Sequence, residues 1–236
     1  MDNRNKQLED LINLPTPELE DLINLPTPES LNKPEGLTLP DPATVFWYKQ
    51  LNHRTLYINQ DIDENILEYT RMIIEFNRED QGKPIDERQP IKVFIFSYGG
   101  SLDVALHFIS VCQVSQTPIY TYNMGVCASA AMLMLLAGHK RFSLPGAQCL
   151  LHEGSANFEG TADQVRQFQK EYERQLELTK SFIFSRTKIS KKLYEKNKEK
   201  DWYMRDSELI ELGVVDRIVD SIDELFTLAR PIPEMI

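Results

Sequence analysis

The chain has 236 residues, 42% of them hydrophobic, and a formal net charge of −10. That length suits one domain with a sizeable core, and the acidic charge argues against nucleic-acid binding, because neutralising phosphates requires a basic surface. The three cysteines are too few for a disulfide framework and are not spaced as zinc ligands. We therefore expect core thiols in a protein of a reducing compartment.

The chain begins with polar residues, so no secretory signal peptide is predicted. Its longest strongly apolar run, residues 127–137, is too short for a membrane span, which needs about 20 residues. We expect a soluble, cytoplasmic protein with neither a membrane nor a nucleic acid as its partner.

The N-terminal segment contains an eleven-residue sequence twice in tandem, at residues 8–18 and 19–29. Paired prolines in each copy stop a helix within a turn or two, and two copies are too few for a solenoid. We interpret residues 1–42 as a flexible segment. The alternative is a propeptide, or a linear motif whose leucines dock in a groove. The folded domain is expected over residues 43–236.

The first half of that domain alternates between strand and helix patterns. Strands are predicted over residues 55–60 and 91–97, the second as a continuous apolar run typical of a strand buried on both faces. Helices are predicted from the apolar spacing of residues 66–76 and over residues 101–114. The polar residues 78–90 between them indicate a loop.

The second half continues the alternation. The patterns predict a strand at 118–123, a loop at 124–128, a helix at 129–136, a strand at 148–151, a long helix through 165–183, a short helix at 206–212, a strand starting at 214–216 and a last helix after Ser221. Such alternation predicts an α/β fold with a mainly parallel sheet, in which sites gather after the carboxyl ends of strands.

Ser129 ends the small-residue sequence Gly125-Val-Cys-Ala-Ser129, where the predicted sheet gives way to a helix. Small neighbours let a substrate backbone approach, and free amides at a helix start face developing negative charge. A serine that only caps the helix explains the same pattern. Ser129 is thus a candidate nucleophile.

His152 directly follows the apolar strand 148–151, so it lies in another strand-end loop and could act as a general base. A surface or capping histidine is the alternative. An acid that orients the imidazole cannot be chosen by spacing among 36 acidic residues. Asp201 stands out because it interrupts a basic run just before aromatic residues, although a solvated charge run explains it as well.

Gly99 and Gly100 follow the strand 91–97 and allow the backbone to approach a ligand closely. Their amides could form part of an oxyanion hole. A tight turn without a ligand is the alternative.

Taken in order, these segments resemble ClpP, the proteolytic subunit of the ATP-dependent Clp protease. The motifs are Val93-Phe-Ile-Phe-Ser-Tyr-Gly-Gly100, Gly125-Val-Cys-Ala-Ser129, Lys140-Arg-Phe-Ser-Leu-Pro145, Leu150-Leu-His152, Gly160-Thr-Ala-Asp163, Glu199-Lys-Asp201 and Glu208-Leu-Ile-Glu-Leu-Gly-Val-Val-Asp216. The resemblance covers roughly residues 55–225.

The resemblance implies a serine endopeptidase with Ser129 as nucleophile, His152 as base and Asp201 as orienting acid. It implies an oxyanion hole made by the amides of Gly100 and Ala130. The implied fold is the α/β, ClpP/crotonase-like arrangement of repeated ββα units, with a projecting handle helix that starts near Gly160.

The resemblance also implies an assembly and partners. Relatives form homo-oligomers of two stacked heptameric rings, which enclose a chamber where unfolded polypeptides are cut to peptides. An AAA+ unfoldase of the ClpX or ClpA/ClpC type feeds them. Neither a metal nor a cofactor is implied for this chain, since the unfoldase uses the ATP and the chain lacks a Gly-x-x-x-x-Gly-Lys-[Ser/Thr] loop.

The chain departs from the family pattern at several positions. Glu153-Gly154 stands where Gln-Pro is usual, which places a charge beside the base, and we expect a different substrate preference there. Lys200 replaces an arginine that supports ring pairing in relatives. The loop at 78–90 is longer than usual, and residues 1–42 do not resemble the family's axial loops.

Four alternatives remain beside the active endopeptidase. They are a non-catalytic ring subunit, a phage or mobile-element maturation protease, a crotonase-type enzyme acting on acyl-CoA thioesters, and a membrane-anchored signal-peptide peptidase. The intact Ser/His/Asp set argues against the first and third, and the lack of a predicted membrane segment argues against the last.

Overall fold

The structure is a computed structural model that describes residues 41–227. The tandem repeat and nearly all of the predicted flexible segment lie outside the described residues, as do residues 228–236. The chain divides into two units, Met1–Asn52 and His53–Ile236. In the first, helix α1 (Pro42–Asn52) has no buried residue and bears the exposed aromatic side chains of Phe46, Trp47 and Tyr48.

The second unit alternates strands and helices as the sequence predicts. Its elements are β1 (Thr55–Ile58), α2 (Ile66–Glu79), a 3-10 turn (Ile85–Glu87), β2 (Ile91–Ser97), α3 (Leu102–Val114), β3 (Ile119–Ala128), α4 (Ala130–Leu136), β4 (Lys140–Ser143), β5 (Gln148–Leu151), α5 (Ala162–Arg186), α6 (Lys191–Asn197), β6 (Trp202–Arg205), α7 (Ser207–Glu211), β7 (Arg217–Ile218) and α8 (Glu224–Thr227).

The strands form one sheet in the order β1-β2-β3-β4-β7, and every neighbouring pair in that order is parallel. The sheet branches at the long strand β3. Its first half pairs with β4, and its last three residues pair with β5, which in turn pairs antiparallel with β6. The carboxyl ends of β3 and β5 therefore lie side by side, which places the residues that follow them at one edge.

The predicted loop at residues 124–128 is wrong, because those residues continue strand β3. Val126, Cys127 and Ala128 pair with Gln148, Cys149 and Leu150. The hydrogen bonds that hold them in a strand come from a segment some twenty residues further along the chain, and local patterns do not contain that partner. The helix after β3 begins at Ala130, with Ser129 as its preceding cap residue rather than its first residue.

Helix α1, the 3-10 turn, β4, α6 and β6 were not predicted. The last three have the sequences KRFS, KKLYEKN and WYMR. Segments of this length are too short for a period to be read, so their structure depends on the neighbours they pack against.

The core lies on both sides of the central strands. All seven residues of α4 are buried, and so are all residues of β2 except Phe96. Phe94, Tyr122 and Phe142 of adjacent strands pack together, with ring centroids 4.8 Å apart in each successive pair; the first pair is edge-to-face and the second is stacked. The three cysteines are free and buried, as the sequence predicts.

Helix α5 is the predicted long helix. A capping box starts it, in which the Thr161 hydroxyl accepts from the Gln164 amide while the Gln164 side chain accepts from the Thr161 amide. Its buried residues, Thr179 and Ile183, lie in the carboxyl half, so the amino half extends away from the core. Within residues 41–227, no helix combines the length and apolarity that crossing a bilayer requires.

Candidate active site

Ser129 lies at the junction of β3 and α4, with no loop between strand and helix. Its backbone has φ 53° and ψ −123°, a conformation that a residue with a Cβ adopts at a cost. Its amide donates to Leu150 O (2.9 Å) and its carbonyl accepts from the Met132 amide (3.0 Å), so both neighbouring elements hold it. The turn presents the side chain at the edge of the sheet.

The two glycines after β2 allow this approach. A Cβ built on Gly99, whose φ is +106°, would lie 2.7 Å from Ala128 O and 2.9 Å from Ser129 Cβ. A Cβ on Gly100 would lie 2.4 Å from Ile62 O. Only glycine fits between the serine turn and the segment at Ile62. The approach of this backbone to a ligand stays a prediction.

His152 follows β5 immediately, and its imidazole meets the serine. His152 Nε2 lies 2.8 Å from Ser129 Oγ, within hydrogen-bonding distance. The parallel pairing of Ala128 with Leu150 sets this distance, because the residues that follow paired strand ends emerge side by side. Sequence reasoning named both residues, and the structure brings them together.

Asp201 precedes β6, and the antiparallel pairing of Leu151 with Trp202 brings it opposite His152. His152 Nδ1 lies 3.5 Å from Asp201 Oδ1, which is ion-pair range but longer than a typical N–H···O hydrogen bond. The Asp201 side chain is 61% exposed and that of His152 is 32% exposed. All three predicted side chains thus form one chain of contacts in the order Ser129, His152, Asp201.

The predicted oxyanion-hole residues line the same site. The Ile62 amide donates to the Gly99 carbonyl (2.9 Å), and the Ser101 amide donates to the Ile62 carbonyl (2.7 Å). The intervening Gly100 amide therefore points away from Ile62. Ala130 is the first residue of α4, and the first amides of a helix have no intrahelical acceptor. Both amides can therefore donate to an oxygen held beside Ser129.

A cavity of about 510 Å³ opens beside the serine. The face of α5 that bears residues 168, 172, 176, 179 and 183 forms one wall, and β5 with the segment after it forms another. Its apolar lining comes from Leu133, Leu151, Phe158, Phe168, Leu176 and Ile183. Three carboxylates also line it, from Asp103, Glu153 and Glu171, and among residues 41–227 no lysine or arginine does.

The charge of Glu153 acts on two tyrosines that line this cavity. Burial and then the charge of Glu153 raise the pKa of Tyr172, and the same two causes in the same order raise the pKa of Tyr194. Both tyrosines line the cavity and stay neutral at physiological pH. Sequence reasoning placed Glu153 beside the base but found neither tyrosine. Tyr172 belongs to the helical pattern of α5, whereas Tyr194 lies in α6, which was not predicted, and both come to the site only through packing.

A hydroxyl in contact with an imidazole, which in turn contacts a carboxylate, is the arrangement that serine hydrolases of several folds share. Comparison with known proteins then specifies the family. The family model described as Clp protease matches residues 43–222. The chain therefore belongs to the Clp protease family, and the resemblance inferred from its motifs is confirmed.

Several relatives carry the name of a proteolytic subunit. The ATP-dependent Clp protease proteolytic subunit 2 of Treponema pallidum is 25% identical over 185 residues, which is 77% of this chain and 90% of the relative. The chloroplastic proteolytic subunit 4 of Arabidopsis thaliana is 31% identical over 153 residues, which is 64% of this chain and 52% of the relative.

A solved structure of a ClpP1 mutant from Listeria monocytogenes superposes with a TM-score of 0.65 at 22% identity, and the match covers 76% of this chain and 99% of that one. This likeness concerns the fold, and it confirms the predicted ClpP-type α/β architecture.

Proposed function

We propose that the chain is a serine endopeptidase. In this mechanism His152 removes the proton of Ser129 Oγ as the oxygen attacks the peptide carbonyl. Asp201 orients the imidazole and stabilises its protonated form, and the amides of Gly100 and Ala130 receive the oxyanion. His152 then gives its proton to the leaving amine, and water hydrolyses the acyl-enzyme by the reverse sequence.

The observation that carries the proposal is the 2.8 Å contact between His152 Nε2 and Ser129 Oγ at the mouth of the cavity. A serine that merely capped a helix would direct its hydroxyl at the amides of the first turn. The Ser129 side chain makes no such capping bond and faces the imidazole instead.

We further propose that the subunit works as its relatives' names describe, as the proteolytic part of an ATP-dependent protease. It would assemble as a homo-oligomer of two stacked heptameric rings in the cytoplasm and receive unfolded polypeptides from an AAA+ unfoldase. The partner would hydrolyse the ATP, and this chain would need neither a cofactor nor a metal.

The test is the intact mass of the protein after incubation with a fluorophosphonate, together with cleavage of an unstructured fluorogenic peptide. We expect one adduct and measurable cleavage for the wild type, and neither for Ser129→Ala. Ser110→Ala, which changes an exposed serine on α3, is the matched control and should keep both. An assembled wild type without an adduct would contradict the proposal and indicate a non-catalytic subunit.

A further inference from the structure

A contact next to the catalytic histidine joins two segments that are far apart in the sequence. The Glu153 amide donates to Lys198 O at 3.0 Å, and Lys198 Nζ lies 3.7 Å from Glu153 Oε1. Glu153 directly follows His152, and Lys198 lies three residues before Asp201. The Glu153–Lys198 contact therefore joins the same two segments as the His152–Asp201 contact.

The hydrogen bond interrupts the ladder between β5 and β6. A regular continuation of the pair Leu151–Trp202 would put Glu153 opposite Lys200, but the Glu153 amide reaches Lys198 instead. Residues 199–201 therefore bulge out of the ladder, as in other strands that re-aim a side chain. A bond from the Lys200 amide to Asn197 O (2.9 Å) tightens the start of this bulge.

The bulge is fixed at both ends, and this determines where Asp201 can lie. Trp202 is held by β5 on one side and Lys198 by Glu153 on the other, and three residues between them leave little slack at about 3.8 Å per residue. The Asp201 side chain is 61% exposed, and its contact within the described part of the chain is with His152. Its backbone, rather than a second side-chain partner, has to position the carboxylate.

Lys198 is itself anchored to the body of the protein through α6. Its ammonium lies 3.1 Å from Glu195, which also lies 3.7 Å from Lys180 on α5. Tyr194 is buried against Phe184 of α5, with ring centroids 5.4 Å apart. The hydrogen bond to Glu195, and then the charge of Glu153, raise the pKa of Lys198, so it stays cationic at neutral pH.

We propose that Glu153 and Lys198 are positioning residues, whose ion pair and backbone hydrogen bond hold the Asp201 segment against the His152 segment. The inference rests on the proposed function, because it concerns the alignment of that catalytic set.

The test compares Lys198→Met, Lys198→Arg, Glu153→Gln and the double variant Glu153→Gln/Lys198→Met in the full-length protein. Lys198→Met should lower kcat for a fluorogenic peptide about two- to fivefold, the effect expected for one partly exposed ion pair. KM should change little, since the carboxylate acts on the imidazole rather than on the peptide. Lys198→Arg should keep most of the activity.

The double variant shows whether Glu153 and Lys198 affect kcat together, as one ion pair, or each independently. If the two side chains act as one pair, the double variant should be no slower than Lys198→Met. Added salt should slow the wild type but leave Lys198→Met unchanged, because salt screens exposed ion pairs. Lys196→Met is the matched control, because Lys196 is an exposed lysine of α6, the helix that Lys198 follows, and this variant should behave as wild type.

Wild-type kcat in Lys198→Met, or additive losses in the double variant, would overturn this inference and leave the proposed function intact. A loss in Lys198→Met that Lys198→Arg does not restore would also overturn it. A wild type that neither reacts with the fluorophosphonate nor cleaves the peptide would overturn the proposed function, and this inference with it.

Discussion

At the scale of single residues, the site depends on backbone conformations that few side chains permit. Ser129 itself has a positive φ, and Gly99 lies against it with φ +106°. The energy of the strained turn is offset by the strands and the helix on either side, which fix Ser129 through its own amide and carbonyl. The glycine is required for two reasons, its φ and the lack of room for a Cβ.

These two requirements can be separated with a pair of alanine variants. Gly99→Ala should lose fluorophosphonate labelling, because the new Cβ would displace Ala128 or Ser129. Gly82 also has a positive φ, +86°, but a Cβ there meets nothing within 4 Å. Gly82→Ala should cost about 1–2 kcal/mol of folding free energy and keep full labelling.

The comparison needs both the labelling rate and a urea unfolding curve for each variant. Normal labelling of Gly99→Ala would show that the serine turn tolerates the displacement and would contradict the close-approach argument.

At the scale of elements, one arginine joins three of them. Arg141 on β4 donates through its backbone amide (2.8 Å) and its guanidinium (3.0 Å) to Asp216, which precedes β7. The guanidinium also donates to Arg186 O at the end of α5 (2.6 Å) and to Gly213 O (3.0 Å). The sequence motifs Lys140–Pro145 and Glu208–Asp216 thus meet in this contact, which lies outside the candidate active site.

Arg141→Met should destabilise the fold by about 2–3 kcal/mol, because it removes the guanidinium that donates to two carbonyls and to Asp216 Oδ1, while the backbone amide of residue 141 keeps its bond to Asp216 Oδ2. The Arg141 side chain is 12% exposed and Asp216 is 39% exposed, so the effect should be smaller than for a fully buried pair. Chemical denaturation measures it. Arg166→Met, which breaks an exposed ion pair on α5, is the control and should leave the denaturation midpoint unchanged.

An Arg141→Met midpoint equal to that of Arg166→Met would contradict this role. It would mean that water replaces the lost donors without cost.

At the scale of the whole molecule, a buried ion pair connects the start of the sheet to the helices around it. Arg54, before β1, pairs with Asp80 at the end of α2 and also donates to Gln89 O. Thr117, before β3, donates to the same carboxylate (3.0 Å), as does Lys83 (2.8 Å). Burial alone would raise the pKa of Asp80, but these donors outweigh it and hold the pKa well below its ordinary value.

Because the pKa of Asp80 is lowered, the stability of the fold depends on pH in the acidic range. A carboxyl with a lower pKa in the folded than in the unfolded chain stabilises the fold above its unfolded pKa of about 4. That contribution is lost as the pH falls through the lower folded pKa. Asp80→Asn should therefore lower the free energy of unfolding by about 3 kcal/mol at pH 7, and the difference in this free energy between variant and wild type should shrink below pH 4.

Urea midpoints at pH 7, 5 and 3 measure this dependence. Asp86→Asn, in the exposed 3-10 turn, should follow the wild type at each pH. If the stability difference between Asp80→Asn and the wild type stays constant down to pH 3, the Asp80 carboxylate does not cause the pH dependence.

The order of strands and helices was predictable because apolar periodicity is a local property. The buried strand at residues 91–97, the strand at 148–151 and the long helix α5 all appear where the patterns predict them. The division of the chain at residue 42 stays a prediction. Among the elements that were not predicted, β4, α6 and β6 are four to seven residues long, too short for a period to be read, and they form because neighbouring segments pack against them.

For the site, local patterns were enough to name candidates, since His152 directly follows a predicted strand and Ser129 follows the predicted loop after another, at the start of a predicted helix. Asp201 stood out from its basic neighbours, but spacing could not choose it among the acidic residues, and the family resemblance selected it. The tertiary structure decided that these three meet, because the pairing of β5 with both β3 and β6 brings them together across 23 and 49 residues of chain. The cavity wall from α5 and the Glu153–Lys198 contact were likewise decided by packing, because contacts between distant segments leave no local pattern in the sequence.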